Sequence, residues 1–257
     1  MRLLLSVLLA LVLLAGCDSA EDPAPLASTA LLPDEARYTW SIESHLIEND
    51  SLLFGDGTEV TVRAVSRNAS VPGYEGLVEM ETQTATGRSQ TWYELTAEQL
   101  RGVAYQSAGA TPLSSPRVVA GHGDLFGLPR VVAKRIQQHT YTRGVSVDSL
   151  IVRDEPRVVY ELPLEVGAGW VSFTDPFRST RAVVGRETVE VEAGTFDCFV
   201  IRTEIDIAAQ FEWFDYVSVE HGLVLRTTES VGEYRGPDNQ PLGLMRTVER
   251  LELIAGD

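Results

Sequence analysis

Tyr38-Thr39-Trp40-Ser41-Ile42-Glu43-Ser44-His45-Leu46 puts Tyr38, Trp40, Ile42 and Leu46 on one side of an extended chain and Thr39, Ser41, Glu43 and His45 on the other. A period of two is the mark of a strand with one buried and one wetted face. The same alternation continues along the chain, with Val60, Val62 and Ala64 opposite Thr61 and Arg63. Between the apolar runs 52–54 and 59–65 stands Gly55-Asp56-Gly57-Thr58. Asp-Gly in such a place predicts a hairpin turn, since both residues tolerate positive φ. Further strands are expected over 76–84, 89–95, 100–106, 157–163, 181–192, 195–205, 210–219, 223–229 and 245–254, with Gly, Asn or Asp in nearly every gap. Thr96-Ala97-Glu98-Gln99 has the form of a helix cap, but strands adjoin it on both sides and a turn is expected. Roughly eleven strands at hairpin spacing predict an all-β protein, an antiparallel sheet curved into an open half-barrel with at most one or two short helices.

Some of these strands are apolar on both faces. Phe211 and Trp213 share one face while Phe214 and Tyr216 share the other, and Phe196, Cys198 and Val200 oppose Phe199 and Ile201. Thr91-Trp92-Tyr93-Glu94-Leu95 behaves the same way. Such strands need cover on both sides, from a second layer or from a ligand lining a cavity. A filled core is the plainer reading. The sharper one is a hydrophobic groove lined by Trp40, Trp92 and Trp213.

The formal net charge of −16 excludes the basic stripe needed to displace counterions from nucleic acid. It also excludes polybasic adsorption to anionic lipid. Lys134 is the single lysine among 21 basic residues. An acidic surface with arginine in place of lysine fits either salt adaptation or a GC-rich genome.

Residues 1–17 read MRLLLSVLLALVLLAGC. Arg2 precedes an apolar run that has the length of a signal segment and is too short to span a bilayer, which takes about 20 residues. Its end, Leu14-Ala15-Gly16-Cys17, resembles the lipobox of bacterial lipoproteins. That resemblance implies cleavage before Cys17 and acylation there, with Asp18 similar to an inner-membrane retention signal. The expected organisation is a signal peptide over 1–16, an acylated Cys17 with a flexible tether over 17–35, and a single β domain over 36–257. The membrane is thus a partner through the lipid anchor, and the location is the extracytoplasmic face of a bacterial envelope. With Cys17 acylated, Cys198 has no cysteine to pair with and reads as a small buried hydrophobe; without acylation, a Cys17–Cys198 bridge is open.

No catalytic motif stands out. There is no Gly-x-Ser-x-Gly elbow, and the histidines at 45, 122, 139 and 221 are scattered. No cysteine pair or helical histidine pair offers a metal site, and no cofactor is expected. Gly121-His122-Gly123-Asp124 is the most site-like loop, with His122 and Asp124 as ligand candidates; a solvated surface turn is the plainer reading. A hydrolase assembled around His122 or His221 is the enzymatic alternative to an expected non-enzyme. Gly236-Pro237-Asp238-Asn239-Gln240-Pro241 lacks calcium-loop spacing and reads as a connecting turn. Glu79 and Glu81 share a strand face and are expected in solvent, where they discourage edge pairing. The stretch 111–128 is loop-like, and 129–137 suits a short helix with Pro129 at its first position.

Leu162-Pro163-Leu164-Glu165-Val166-Gly167-Ala168-Gly169-Trp170 and Val189-Glu190-Val191-Glu192-Ala193-Gly194-Thr195-Phe196-Asp197-Cys198, followed by Tyr216 and Gly222-Leu223-Val224, resemble a motif order of uncharacterised bacterial envelope proteins, the TapB-like group among them. The resemblance spans 156–230 and implies an antiparallel half-barrel similar to the LolA-type lipoprotein carriers. It implies no catalytic residue. Ala193-Gly194 and His221-Gly222 read as strand-joining turns in their own right. The expected function is non-enzymatic binding of a hydrophobic envelope molecule or an envelope protein, with a structural or assembly role as the alternative.

Overall fold

The computed structural model describes residues 28–85, 87–108, 125–126, 129, 150–174, 177–206 and 211–256. The signal segment, Cys17, most of the tether, His122 and Asp124 lie outside them, as does 111–148 apart from Leu125, Phe126 and Pro129. The short helix expected over 129–137 therefore lies outside as well.

A 3-10 turn, Ser28–Leu31, precedes twelve strands: β1 (Glu35–Leu46), β2 (Leu52–Val71), β3 (Tyr74–Thr84), β4 (Gly87–Leu95), β5 (Gln99–Ala108), β6 (Ile151–Glu161), β7 (Gly169–Phe173), β8 (Ser179–Val191), β9 (Gly194–Ile205), β10 (Phe211–Ser218), β11 (Gly222–Arg235) and β12 (Pro241–Gly256). They form one antiparallel sheet in the order β6-β5-β4-β3-β2-β1-β12-β11-β10-β9-β8-β7. Each strand pairs with its chain neighbour except at β6/β7, and the terminal strands β1 and β12 pair with each other. The sheet curves until β6 and β7 stand side by side. There Ser172 Oγ (2.7 Å) and Trp170 Nε1 (3.4 Å) donate to the Val158 carbonyl, in place of a backbone ladder. Bulges in β2, β4, β5 and β8 supply the curvature. The all-β expectation holds, and the barrel is more nearly closed than a half-barrel.

Two sequence expectations need correction. Gly55-Asp56-Gly57 is not a turn. These residues pair with Glu43, Ile42 and Ser41 of β1 inside a strand of 20 residues. The turn comes earlier, where Asp50 takes φ 54° and Asn49 Oδ1 accepts the Ser51 N–H at 3.1 Å. Alternation cannot distinguish glycines inside a ladder from glycines in a turn; the register of β1 decides. Glu81 is not solvated either. It is buried and gripped by Arg63 Nε (3.0 Å) and Nη2 (2.7 Å), while Glu79 accepts from Gln90 Nε2 at 2.8 Å. The turns at 96–99, 192–193, 219–221 and 236–240 form as expected, the first held by the Gln99 N–H on Thr96 Oγ1 at 3.0 Å.

Twelve strands enclose more volume than eight, whose interior side chains alone can fill. Here two extra segments add bulk. Leu31 and Leu32 enter from the lower end, the end of the β10–β11 turn, and both are buried. Gly222 makes room for them: at φ 72°, an added Cβ would meet the Ala30 carbonyl oxygen at 3.0 Å. Leu125 and Phe126 belong to the β5–β6 connection and are buried too, with Phe126 edge-on to Tyr93 (5.6 Å) and Tyr160 (5.4 Å). The Tyr38 hydroxyl donates to the Leu223 carbonyl at 3.0 Å in the same layer. Leu32→Ala should therefore lower the unfolding free energy by about 2–5 kcal/mol, read by urea titration; an unchanged midpoint would show that this residue is not part of the core.

Candidate functional site

Residues opposite each other in a ladder share a face, so the register assigns each side chain to the interior or the exterior. Tyr38 and Trp40 oppose Val60 and Thr58, and Val60 and Val62 oppose Thr84 and Thr82. Met80 and Val78 oppose Thr91 and Tyr93. Trp92 therefore points the other way. It lies in a separate exterior cluster with Val71, Leu77, Val103 and Ala104. Trp40, Trp170 and Trp213 face the interior. A single groove lined by Trp40, Trp92 and Trp213 does not exist, because Trp92 is one residue out of phase with the other two. Trp40 is engaged, its Nε1 donating to Glu249 Oε1 at 2.9 Å.

Going up the barrel, the interior changes character. The lower level is apolar: Tyr38, Tyr93, Leu100, Tyr160, Val217, Leu223 and Leu253. Above it lies a fully buried ion cluster. Arg226 grips Asp215 with two bonds, Nε to Oδ1 at 2.5 Å and Nη2 to Oδ2 at 2.9 Å. Arg181 Nη1 stands 3.7 Å from Asp215 Oδ2 and donates to the Val159 carbonyl at 2.9 Å. Arg226 Nη1 also donates to the Leu125 carbonyl at 3.2 Å, and Arg157 donates to that of Phe126. The charges thus hold the interior segment in place.

The upper level is rich in hydroxyls. Thr82, Ser89, Thr91, Ser179, Thr203, Thr228 and Thr247 are all buried. Ser44 Oγ and Thr247 Oγ1 bond at 2.8 Å. Ser179 Oγ, Thr203 Oγ1, Trp213 Nε1 and Thr228 Oγ1 have no hydrogen-bond partner among the described residues.

Above this level four strands stand clear of the barrel. β3 joins β2 only from Val60 onward, and β10 joins β11 only up to Thr228. Residues 52–59 of β2 and 229–235 of β11 therefore form the two sides of a projecting sheet completed by β1 and β12. It carries exposed apolar side chains, Leu52 (61 % exposed), Phe54 (52 %), Leu242 (51 %) and Leu244 (52 %), with Val231 beside them; Val166 is comparably exposed at the other end of the barrel. Sequence reading missed this sheet, since alternation does not show where a neighbouring strand stops.

His221 stacks edge-on against Phe196 at 4.9 Å and stands 4.0 Å from Glu220. Among the described residues, no three or more His, Cys, Asp or Glu side chains group to hold a metal. No helix among them is long and apolar enough to cross a membrane.

No family model matches the chain, and no curated protein matches it. Solved structures of loose overall likeness include a candidate lipoprotein from Parabacteroides distasonis, 13% identical at a TM-score of 0.32 over 87% of this chain and 97% of that one. A candidate exported protein with a YmcC-like fold from Bacteroides fragilis is 10% identical at 0.37, over 86% and 98%. A DUF1329 family protein from Desulfovibrio piger is 10% identical at 0.25, over 89% of each. None of the three is described as TapB-like or LolA-type, and at these identities and TM-scores the likeness assigns no function.

Cys198 is buried and free, and burial pushes its thiol up to about 12, with Asp197 adding to the shift. Iodoacetamide at mildly alkaline pH should leave Cys198 of the folded protein unmodified and alkylate it after unfolding in urea, read by peptide mass. Equal labelling in both states would contradict the burial.

Proposed function

We propose that this chain is a lipid-anchored extracytoplasmic protein of the bacterial envelope that works by docking another envelope protein rather than by catalysis. The observation that carries this reading is the projecting sheet, with Leu52, Phe54, Leu242 and Leu244 each more than half exposed beyond the barrel rim. By register Phe54 shares the face of Ser44 and Thr247 while Leu244 lies on the other, so apolar groups on both faces of this rim favour a partner that wraps the sheet end. The lower and middle interior favour the same reading, because Phe126, Leu32 and the Arg181–Asp215–Arg226 cluster occupy the space where an apolar ligand would sit. With Trp92 on the outer face, the apolar small molecule loses one wall of its expected groove.

The anchor is Cys17 in this reading. Ala30 lies at the lower end, beside Gly222. β11 climbs 14 residues from Gly222 to Arg235, or about 45 Å. The docking sheet thus stands at the far end of the described barrel from Ala30.

Two measurements test the reading. Cys17→Ala should move the protein from the membrane fraction to the soluble fraction; retention in the membrane would refute the anchor. A photo-crosslinking residue at Phe54 should yield a discrete protein adduct in the native envelope that is lost on Leu52→Asp with Leu244→Asp. The same adducts from the exposed side-wall position Val184, or none from Phe54, would refute docking at this sheet.

A further inference from the structure

The Gly55-Asp56-Gly57 stretch, excluded above as a turn, sits in the stretch of β2 that has β1 on one side and, among the described residues, no strand on the other. The direction of its backbone groups follows from the register. Ala64 N–H donates to the Asp34 carbonyl at 2.9 Å, so the even residues of β2 direct their amides to β1. The pairing runs unbroken from Arg63↔Glu35 to Phe54↔Ser44. Alternation in an antiparallel ladder then turns the N–H and C=O groups of Gly55, Gly57 and Glu59 toward the open side. The Gly57 N–H agrees: it is taken not by β1 but by the neighbouring Asp56 carboxylate, at 2.9 Å.

Exposed strand edges are commonly blunted by lysine, proline or a covering element. Residues 52–59, Leu-Leu-Phe-Gly-Asp-Gly-Thr-Glu, contain neither lysine nor proline. Two of the three outward positions are glycines, which let a second backbone approach to ladder distance without side-chain obstruction. Phe54 and Leu52 flank the edge as apolar anchors.

We propose that the open edge of β2 from Gly55 to Glu59 is a strand-addition site for an extended basic segment of another envelope protein, one that alternates cationic with apolar residues. This rests on the docking reading above. The charge selects the occupant: Asp56 lies on the edge, Glu43 opposes Gly55 and Asp50 stands in the adjoining turn, while Glu59 has an arginine beside it, Arg37 at 3.4 Å. A second copy of this chain would bring the same acids and its own −16 charge, so like-charge repulsion disfavours it. The ladder gives affinity, and the alternating side chains give selectivity.

The probe is a synthetic octapeptide of alternating valine and lysine, titrated against the whole protein at low salt. Three control peptides accompany it: valine–glutamate alternation, the basic peptide interrupted by proline, and the basic peptide N-methylated at alternate amides. The basic peptide should bind at least tenfold tighter than each control and slow amide exchange at Gly55 and Glu59. Gly55→Pro, which removes an outward N–H and leaves the β1 ladder intact, should weaken it at least tenfold with an unchanged unfolding midpoint. The N-methylated peptide reads the same contact without altering the protein, should that variant fold poorly. Equal binding of the N-methylated and parent peptides would overturn strand addition, as would tight binding of the acidic peptide. A dimer abolished by Gly55→Pro would assign the edge to a second copy and overturn the basic partner. If the Phe54 adduct persists while no peptide protects the edge, docking stands and this inference falls.

Discussion

The Asp215 carboxylate, held between Arg226 and Arg181 with no exposure to solvent, is the interaction on which the rest of the structure depends. A lone buried charge costs several kcal/mol, and only close, well-directed pairing offsets it. The bidentate geometry from Arg226 provides such pairing. It also fixes three strands, β8, β10 and β11, at one register, because each contributes a member. The second arm of Arg226 reaches the Leu125 carbonyl, and Arg157 reaches that of Phe126. Electrostatics thereby seats the interior segment that fills a bore too wide for strand side chains alone.

Much of the fold was legible in the chain. The Tyr38–Leu46 alternation, the Gly194 and Gly222 turns and the strand spacing are local properties, and local properties survive into the structure. The misreadings share one cause, which is that period two gives two faces without saying which is inside. Trp92 and Tyr93 are both apolar, and only the pairing of Thr91 with Met80 and of Tyr93 with Val78 sends Tyr93 inward and Trp92 out. Gly55-Asp56-Gly57 carried turn composition, and the pairing of β1 overrode it. β7, five residues long, is too short to show a period. The ion cluster did leave a signal: Asp215 falls between Trp213 and Val217 on one face, and Arg181 falls two residues from Val183. A charge interrupting an apolar face marks a buried pair, but finding the partner needs the register. The lipid anchor and the His122–Asp124 loop lie outside the described residues and remain expectations of the sequence alone.

The site follows the same logic of inside and outside. Below the ion cluster the barrel is an apolar core, above it the walls turn to hydroxyls, and beyond the rim four strands continue with no further strand beside β2 or β11 among the described residues. Each step reflects how many strands cover the position. Where twelve surround it, large apolar groups are buried; where four remain, Leu52 and Leu244 are left to solvent and the β2 backbone has no second partner strand among the described residues. The functional reading lies in that loss of neighbours, which puts the exposed apolar rim at the end of the barrel opposite Leu31 and Leu32.

The most direct test of this account is a double-mutant cycle on the buried pair, with Asp215→Leu, Arg226→Leu and the combination followed by urea unfolding. Asp215→Leu leaves two buried guanidinium groups without a carboxylate and should cost about 3–5 kcal/mol, while Arg226→Leu leaves Asp215 with Arg181 alone and should cost less. The double variant should cost clearly less than their sum, with a coupling of at least about 1 kcal/mol. Strictly additive costs, or single variants as stable as the wild type, would contradict the claim that this ion pair organises the barrel interior.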